Sequence, residues 1–263
     1  MTDADIHVGI QDDRAEEKTI IFSVGHRCTS ASLIKEMNMK FESYPFDWVV
    51  SKLEVVMHCL ETKFKHYLNR SNYERIERSQ TYNRVDNIKF HICYESITKN
   101  HYYDKFIKNG STNNVSTYEH GLALTHHDIL DNAQEGYFQR CVARFQRVLA
   151  SPKRKFYLYT HPLLGEVDFA RSHATILCLF LQFIDTMQKF TQNSYGIFFI
   201  LVRDYDNPNT IEVMFQSDEA VVFIMHVNSK LVDGGGVYSG SFYNEQYTML
   251  TTIERVIREQ SAT

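Results

Sequence analysis

The chain has 263 residues, 43% of them hydrophobic, and a formal net charge of −4, so it can bury one large core and lacks the basic excess of a non-specific nucleic-acid binder. Its five cysteines (Cys28, Cys59, Cys93, Cys141 and Cys178) are odd in number and form no CxxC pair, which excludes a disulfide framework or zinc ribbon and predicts reduced thiols in a cytoplasmic setting. The opening residues have no signal-peptide pattern, and no apolar run reaches the roughly 18 residues that span a bilayer.

Residues 1–18 are acidic and without periodicity, which predicts a mobile tail ahead of a single domain over 19–263. Residues 19–25 form an apolar run ending in Gly25, the pattern of a buried strand. Thr29 and Ser30 are positioned to cap a helix over 31–37. Residues 44–48, Tyr-Pro-Phe-Asp-Trp, read as a compact aromatic turn. Leu53, Val56, Met57, Leu60, Phe64 and Leu68 share one face of a helix predicted over 52–68. The polar region 69–114 holds a candidate strand at 88–94 and a plain loop at 109–114, and reads as an insertion or lid.

From there the pattern becomes regular. Helices are predicted over 135–150, 171–191 and 245–260, with strands over 155–160, 196–202, 210–215 and 220–227 and a glycine loop at 234–236. Alternating strands and helices predict an α/β fold: one Rossmann-like three-layer domain with a mostly parallel sheet covered on both faces.

In such sheets ligands bind beyond the carboxyl ends of the strands, at a switch in strand order. Three strand ends carry polar groups: Gly25-His26-Arg27-Cys28, then Thr160-His161, then Arg203-Asp204-Tyr205-Asp206. If these strands are neighbours, the three groups meet on one edge. A thiol at a helix start beside His26 and Arg27 has the setting of a reactive cysteine, whereas the other four cysteines lie in helices or apolar runs and read as structural. Asp204 and Asp206, one residue apart after an apolar strand, have the spacing that holds Mg²⁺ or Mn²⁺ against a diphosphate. The alternative for Arg203 and Asp204 is a surface salt bridge. His126-His127-Asp128 offers a base or an Asp-oriented histidine, or equally a capping Asp128 with incidental histidines.

These groups support a group-transfer enzyme, a glycosyltransferase using a nucleotide-sugar donor and a glycan acceptor. Arg27 and Arg203 would hold the diphosphate, Gly25 and His26 would line its approach, Asp204 and Asp206 would hold the metal, and Asp204, His127 or His161 would act as base.

The segment Ser23-Val-Gly-His-Arg-Cys28, the helix after it and Phe41-Glu-Ser-Tyr-Pro-Phe-Asp-Trp48 also resemble an uncharacterised family of bacteria and large DNA viruses labelled "putative papain-like cysteine peptidase". That family opens with a strand, a Ser-x-Gly-x-x-Cys loop, a helix and a Ser-x-Pro-Phe-Asp-Trp turn. Later it has a His-Asp element before an Arg- and Phe-rich helix, here His127-Asp128 and residues 137–145. The resemblance covers about residues 20–159 and implies a hydrolase with Cys28 as nucleophile, His127 as base and Asp47 as orienter. A domain that binds without catalysing is the third reading.

Overall fold

The computed structural model describes residues 19–26, 28–77, 96–106, 121–124, 126–163, 169–204, 206–227 and 243–262. The tail at 1–18, the candidate strand at 88–94, the loop at 109–114, the glycine loop at 234–236, Arg27 and Cys93 lie outside them.

The strands predicted from apolar runs form one sheet. β1 (Ile20–Ser23), β6 (Lys155–Leu163), β7 (Ser194–Arg203), β8 (Ile211–Gln216) and β9 (Ala220–Val227) stand in the order β1-β6-β7-β9-β8. The first four are mutually parallel; β8 returns antiparallel against β9, so the sheet is mostly parallel. Along β6, Phe156 and Leu158 enter one apolar layer while Tyr157 and Tyr159 enter the other, as the two-residue period of a strand requires. α1 (Cys28–Glu36) and α5 (Tyr243–Ser261) cover the first face with Leu33, Ile34, Met249 and Ile253. α2 (Leu53–Glu61), α3 (Asn132–Ala150) and α4 (Phe169–Phe190) cover the second with side chains such as Val56, Phe145 and Phe183. The result is the three-layer α/β arrangement expected.

A second sheet was not foreseen. β2 (Val49–Ser51), β3 (Tyr73–Glu77), β4 (Ser96–Asn100) and β5 (Leu122–Leu124) form an antiparallel sheet ordered β2-β5-β4-β3. Strands this short carry little alternation for a sequence to display.

Several predicted boundaries move: β6 runs on to Leu163, so His161 lies within the strand rather than after it, and three others shift for local reasons. The helix predicted over 52–68 stops at Glu61, because Lys63 and Phe64 adopt left-handed φ of 50° and 62° and Phe64 N–H turns back to the Cys59 carbonyl at 2.7 Å. Phe64 still reaches the core, so its hydrophobic spacing persists through the break. α1 begins at Cys28 rather than residue 31, and Ser30, instead of capping, meets Thr160 hydroxyl to hydroxyl at 3.2 Å. α3 begins at Asn132, where Asp131 accepts the Ala133 N–H and so takes the capping role considered for Asp128.

Candidate functional site at the carboxyl edge of the parallel sheet

The three polar strand ends belong to adjacent strands β1, β6 and β7, which meets the condition for them to share one edge. The order from β1 to β9 runs one way, however, and β1 is an outer strand, so the described sheet has no order reversal at β1 to open a nucleotide crevice. What assembles there is a set of imidazoles around a phenol.

β1 ends in a tight corner. Gly25 has φ +98° and His26 has φ +61°, conformations that only glycine adopts without cost. A side chain at Gly25 would place its Cβ 2.0 Å from Ser51 Oγ. The Ser51 N–H holds the His26 carbonyl at 3.2 Å, so the first residue pair of the corner is clamped by β2. Ser51 Oγ is itself buried and has no hydrogen-bond partner among the described residues.

The corner lays the His26 ring on the β6 residues of the same face. Tyr159 Oη lies 3.3 Å from His26 Nδ1 and 3.5 Å from His161 Nδ1, and the two imidazole centroids are 5.3 Å apart. His161 also packs edge-on against Phe180 of α4. The residue is half-buried, and enclosure lowers its pKa from 6.5 to about 4, with the Lys52 ammonium pushing the same way. Burial raises the Tyr159 phenol well above its usual 10, and the Glu54 carboxylate adds to the rise. Two residues past His26, Cys28 opens α1, partly exposed. The Ser30–Thr160 contact ties that first turn to the residue preceding His161. Backbone N–H groups of a first helical turn favour an anion over a neutral group.

The other predicted residues go elsewhere. Arg27 and the Arg203 side chain are outside the described residues; the backbone of Arg203, the last residue of β7, pairs with Val227 of β9. Asp204 folds onto its own loop: one oxygen accepts the N–H groups of Asp206 and Asn207 at 2.9 and 3.0 Å, and the other lies 3.0 Å from His226 Nδ1. Those contacts, Asn207 foremost, hold its carboxyl below the usual carboxylate range. Asp204 therefore shapes a turn, and Asp206 enters it through its backbone. Among the described residues no group of three or more His, Cys, Asp or Glu side chains is placed to hold a metal ion.

His127 lies beyond the far end of β2 from this corner. Ser51 contacts His26 and pairs with Leu122, Val49 pairs with Leu124, and the chain runs on from Leu124 to His127. There His127 packs on Tyr137 at 4.2 Å, its Nδ1 lies 3.3 Å from Gln134 Oε1, and it lines a small aromatic pocket with Tyr44, Trp48 and Cys141. Asp47 does not orient it. Asp47 pairs with Lys40 and accepts the Tyr44 N–H, which staples the Pro-Phe-Asp-Trp turn, and burial pushes its carboxyl up against the Lys40 charge. Asp128 is taken by Arg75, Thr98 and the Leu130 N–H.

Among the remaining thiols, Cys59 and Cys141 are buried, whereas Cys178 is exposed on α4, contrary to the structural role read for it. Burial pushes the Cys59 thiol up to about 12, opposed only by the Tyr103 hydroxyl. Sequence reading missed Tyr159, Ser51 and Gln134. The Tyr-x-His spacing at 159–161 was the available signal, since it puts both side chains on one face of a strand.

The fold and the corner thus define a three-layer α/β domain with a thiol and two imidazoles at its carboxyl edge. A family model described as "Putative papain-like cysteine peptidase (DUF1796)" matches residues 19–202, and the chain belongs to that family. No curated protein and no solved structure matches it. Family membership overturns the glycosyltransferase reading, and with it the nucleotide-sugar donor and glycan acceptor: the family points to peptidase chemistry. No helix among the described residues is long and apolar enough to cross a membrane.

The enclosed His161 makes stability depend on pH. Its pKa is lower in the folded state, so between pH 6.5 and about 4 the unfolded chain binds more protons. The stability tied to keeping this ring neutral is complete above pH 6.5 and is lost as pH falls. For a half-buried residue the expected loss is about 2 kcal/mol across that window. His58, His66, His126 and His173 are shifted the same way by burial and add slopes of their own. Urea unfolding at pH 7 and pH 4.5 should therefore show a smaller acid loss for His161→Gln than for the natural chain; equal losses contradict the enclosed ring.

Proposed function

We propose that the protein is a cysteine-dependent amide hydrolase acting on peptides, with Cys28 as nucleophile and His161 as proton acceptor. The observation that carries this reading is the placement of Cys28 at the start of α1, whose first turn is joined to Thr160 beside the His26–Tyr159–His161 cluster. Family membership supports the same class of chemistry.

In this reading Cys28 Sγ adds to the carbonyl carbon of the amide while its proton passes to His161 Nε2. The oxyanion forms next to the N–H groups of the first α1 turn. The carbon–nitrogen bond breaks as His161 returns the proton to the departing amine. Water then hydrolyses the thioester, giving its proton to His161 and restoring the thiol as the acid leaves. His161 is neutral at pH 7 and so able to accept a proton, while its lowered pKa makes it a weaker base than an ordinary imidazole. His127 is not assigned as base, because Gln134 and Tyr137 hold it beyond the far end of β2.

The test is amine release from a panel of short peptide anilides by the purified chain. Release that stops when Cys28 is alkylated is expected. No release from any member, or release that survives full alkylation of Cys28, contradicts the proposal.

A further inference from the structure

Tyr159 stands between two imidazoles, and its hydroxyl has only one proton. The oxygen lies within reach of His26 Nδ1 at 3.3 Å and His161 Nδ1 at 3.5 Å. It can donate to only one of these nitrogens, and with its proton between the two rings it accepts from the other. The phenol is buried among Phe180, Phe198 and the imidazoles, an environment that keeps it protonated. A neutral imidazole carries one N–H. The ring that donates through Nδ1 therefore has a bare, basic Nε2, and the ring that accepts at Nδ1 has an Nε2–H.

We infer that Tyr159 is a positioning residue that holds His161 and His26 in opposite tautomers, His161 with a basic Nε2 and His26 with an Nε2–H. His161 takes the basic role because it is half-buried and follows Thr160, which is tied to the turn carrying Cys28, whereas His26 is 9% exposed and its backbone carbonyl is held by the Ser51 N–H. The charged groups that act on the cluster from α2 and the residue before it are Glu54 and Lys52. The catalytic meaning of this division rests on the hydrolase reading; the tautomers themselves do not. When His161 Nε2 takes the thiol proton, its Nδ1 proton can pass to the Tyr159 oxygen as the Tyr159 proton passes to His26 Nδ1. One positive charge then moves from His161 to His26, and Tyr159 ends neutral. In the reverse direction the proton returns to the leaving amine.

The experiment is long-range ¹H–¹⁵N NMR of the full chain with ¹⁵N-labelled histidine at pH 7, assigning two of the 12 histidines through His26→Gln and His161→Gln. The expected spectrum has His161 protonated at Nδ1 and His26 at Nε2. In Tyr159→Phe, His161 should revert to the Nε2–H form that free imidazoles favour. The same tautomer on both rings, or a Tyr159→Phe protein that melts normally with an unchanged histidine spectrum, overturns the inference. If Tyr159→Phe does not fold, the natural chain's spectrum decides alone. If no peptide is hydrolysed, the hydrolase reading fails while the tautomer result stands or falls by itself. With turnover present, Tyr159→Phe should lower kcat about tenfold and leave KM nearly unchanged; lost tautomer order with unchanged kcat overturns the division of roles.

Discussion

Cys28→Ala should reduce amide hydrolysis by about four orders of magnitude or more, with folding and KM little changed. A nucleophile has no substitute: without Sγ the acyl group has nothing to be transferred to, and the imidazoles and helix N–H groups alone leave only weak catalysis of direct attack by water. The change is gentle for the fold, because Cys28 is a partly exposed first residue of α1 rather than a core side chain and alanine is a good helix former. Kinetics with peptide anilides and a urea titration on the same protein separate the two effects. A Cys28→Ala chain retaining more than about a tenth of the activity would remove the nucleophile from the account.

The second large effect is on stability. Gly25→Ala should cost about 3 kcal/mol, combining the strain of a side chain at φ +98° with a Cβ that would lie 2.0 Å from Ser51 Oγ. The two contributions are separable. Ser51 Oγ has no hydrogen-bond partner among the described residues, so Ser51→Ala alone should be close to neutral. In the double variant Gly25→Ala/Ser51→Ala the clash is gone, because Ser51 Cβ is an ordinary 3.4 Å from the added methyl, and only the backbone strain of about 1–2 kcal/mol remains. Urea midpoints of the four proteins read this directly. A Gly25→Ala cost under about 0.5 kcal/mol contradicts the corner described. Because the same corner aims His26 and Cys28, Gly25→Ala should also lower kcat.

Much of this fold was legible because hydrophobic periodicity reports burial. The runs at 155–160, 196–202 and 220–227 are continuous because central parallel strands are buried on both faces, as Phe156, Ile197 and Val222 are. The same signal misled at 52–68: Phe64 and Leu68 continue the apolar spacing of α2, but the backbone has already turned at Lys63. Burial and helicity are separate facts, and periodicity gives the first. The second sheet stayed hidden because β2 and β5 have three residues each. Their pairing joins segments some 70 residues apart, which no local pattern displays.

The site was legible in part. Strand ends bearing polar residues drew attention to Gly25, His26, Cys28 and His161, and the structure brings the first and second of these strand ends together. Residue type alone could not tell that Asp204 closes its own turn, although the Asn207-Pro208-Asn209 that follows is turn chemistry and was the warning available. Nor could it tell that His127 and Cys28 stand at opposite ends of β2, since that separation is set by the register Ser51↔Leu122 and Val49↔Leu124. The pairing of two histidines through Tyr159 depends on a left-handed His26, a conformation that sequence patterns do not announce.

The central claim is that Cys28 is the acyl acceptor. The most direct measurement is intact-mass and peptide-mapping spectrometry of the protein quenched in acid during turnover of a slowly deacylating peptide ester. The account predicts an acyl group in thioester linkage to Cys28, released by hydroxylamine. An acyl group mapped to Cys141, Cys178 or another residue, or turnover with no covalent intermediate at all, would contradict it.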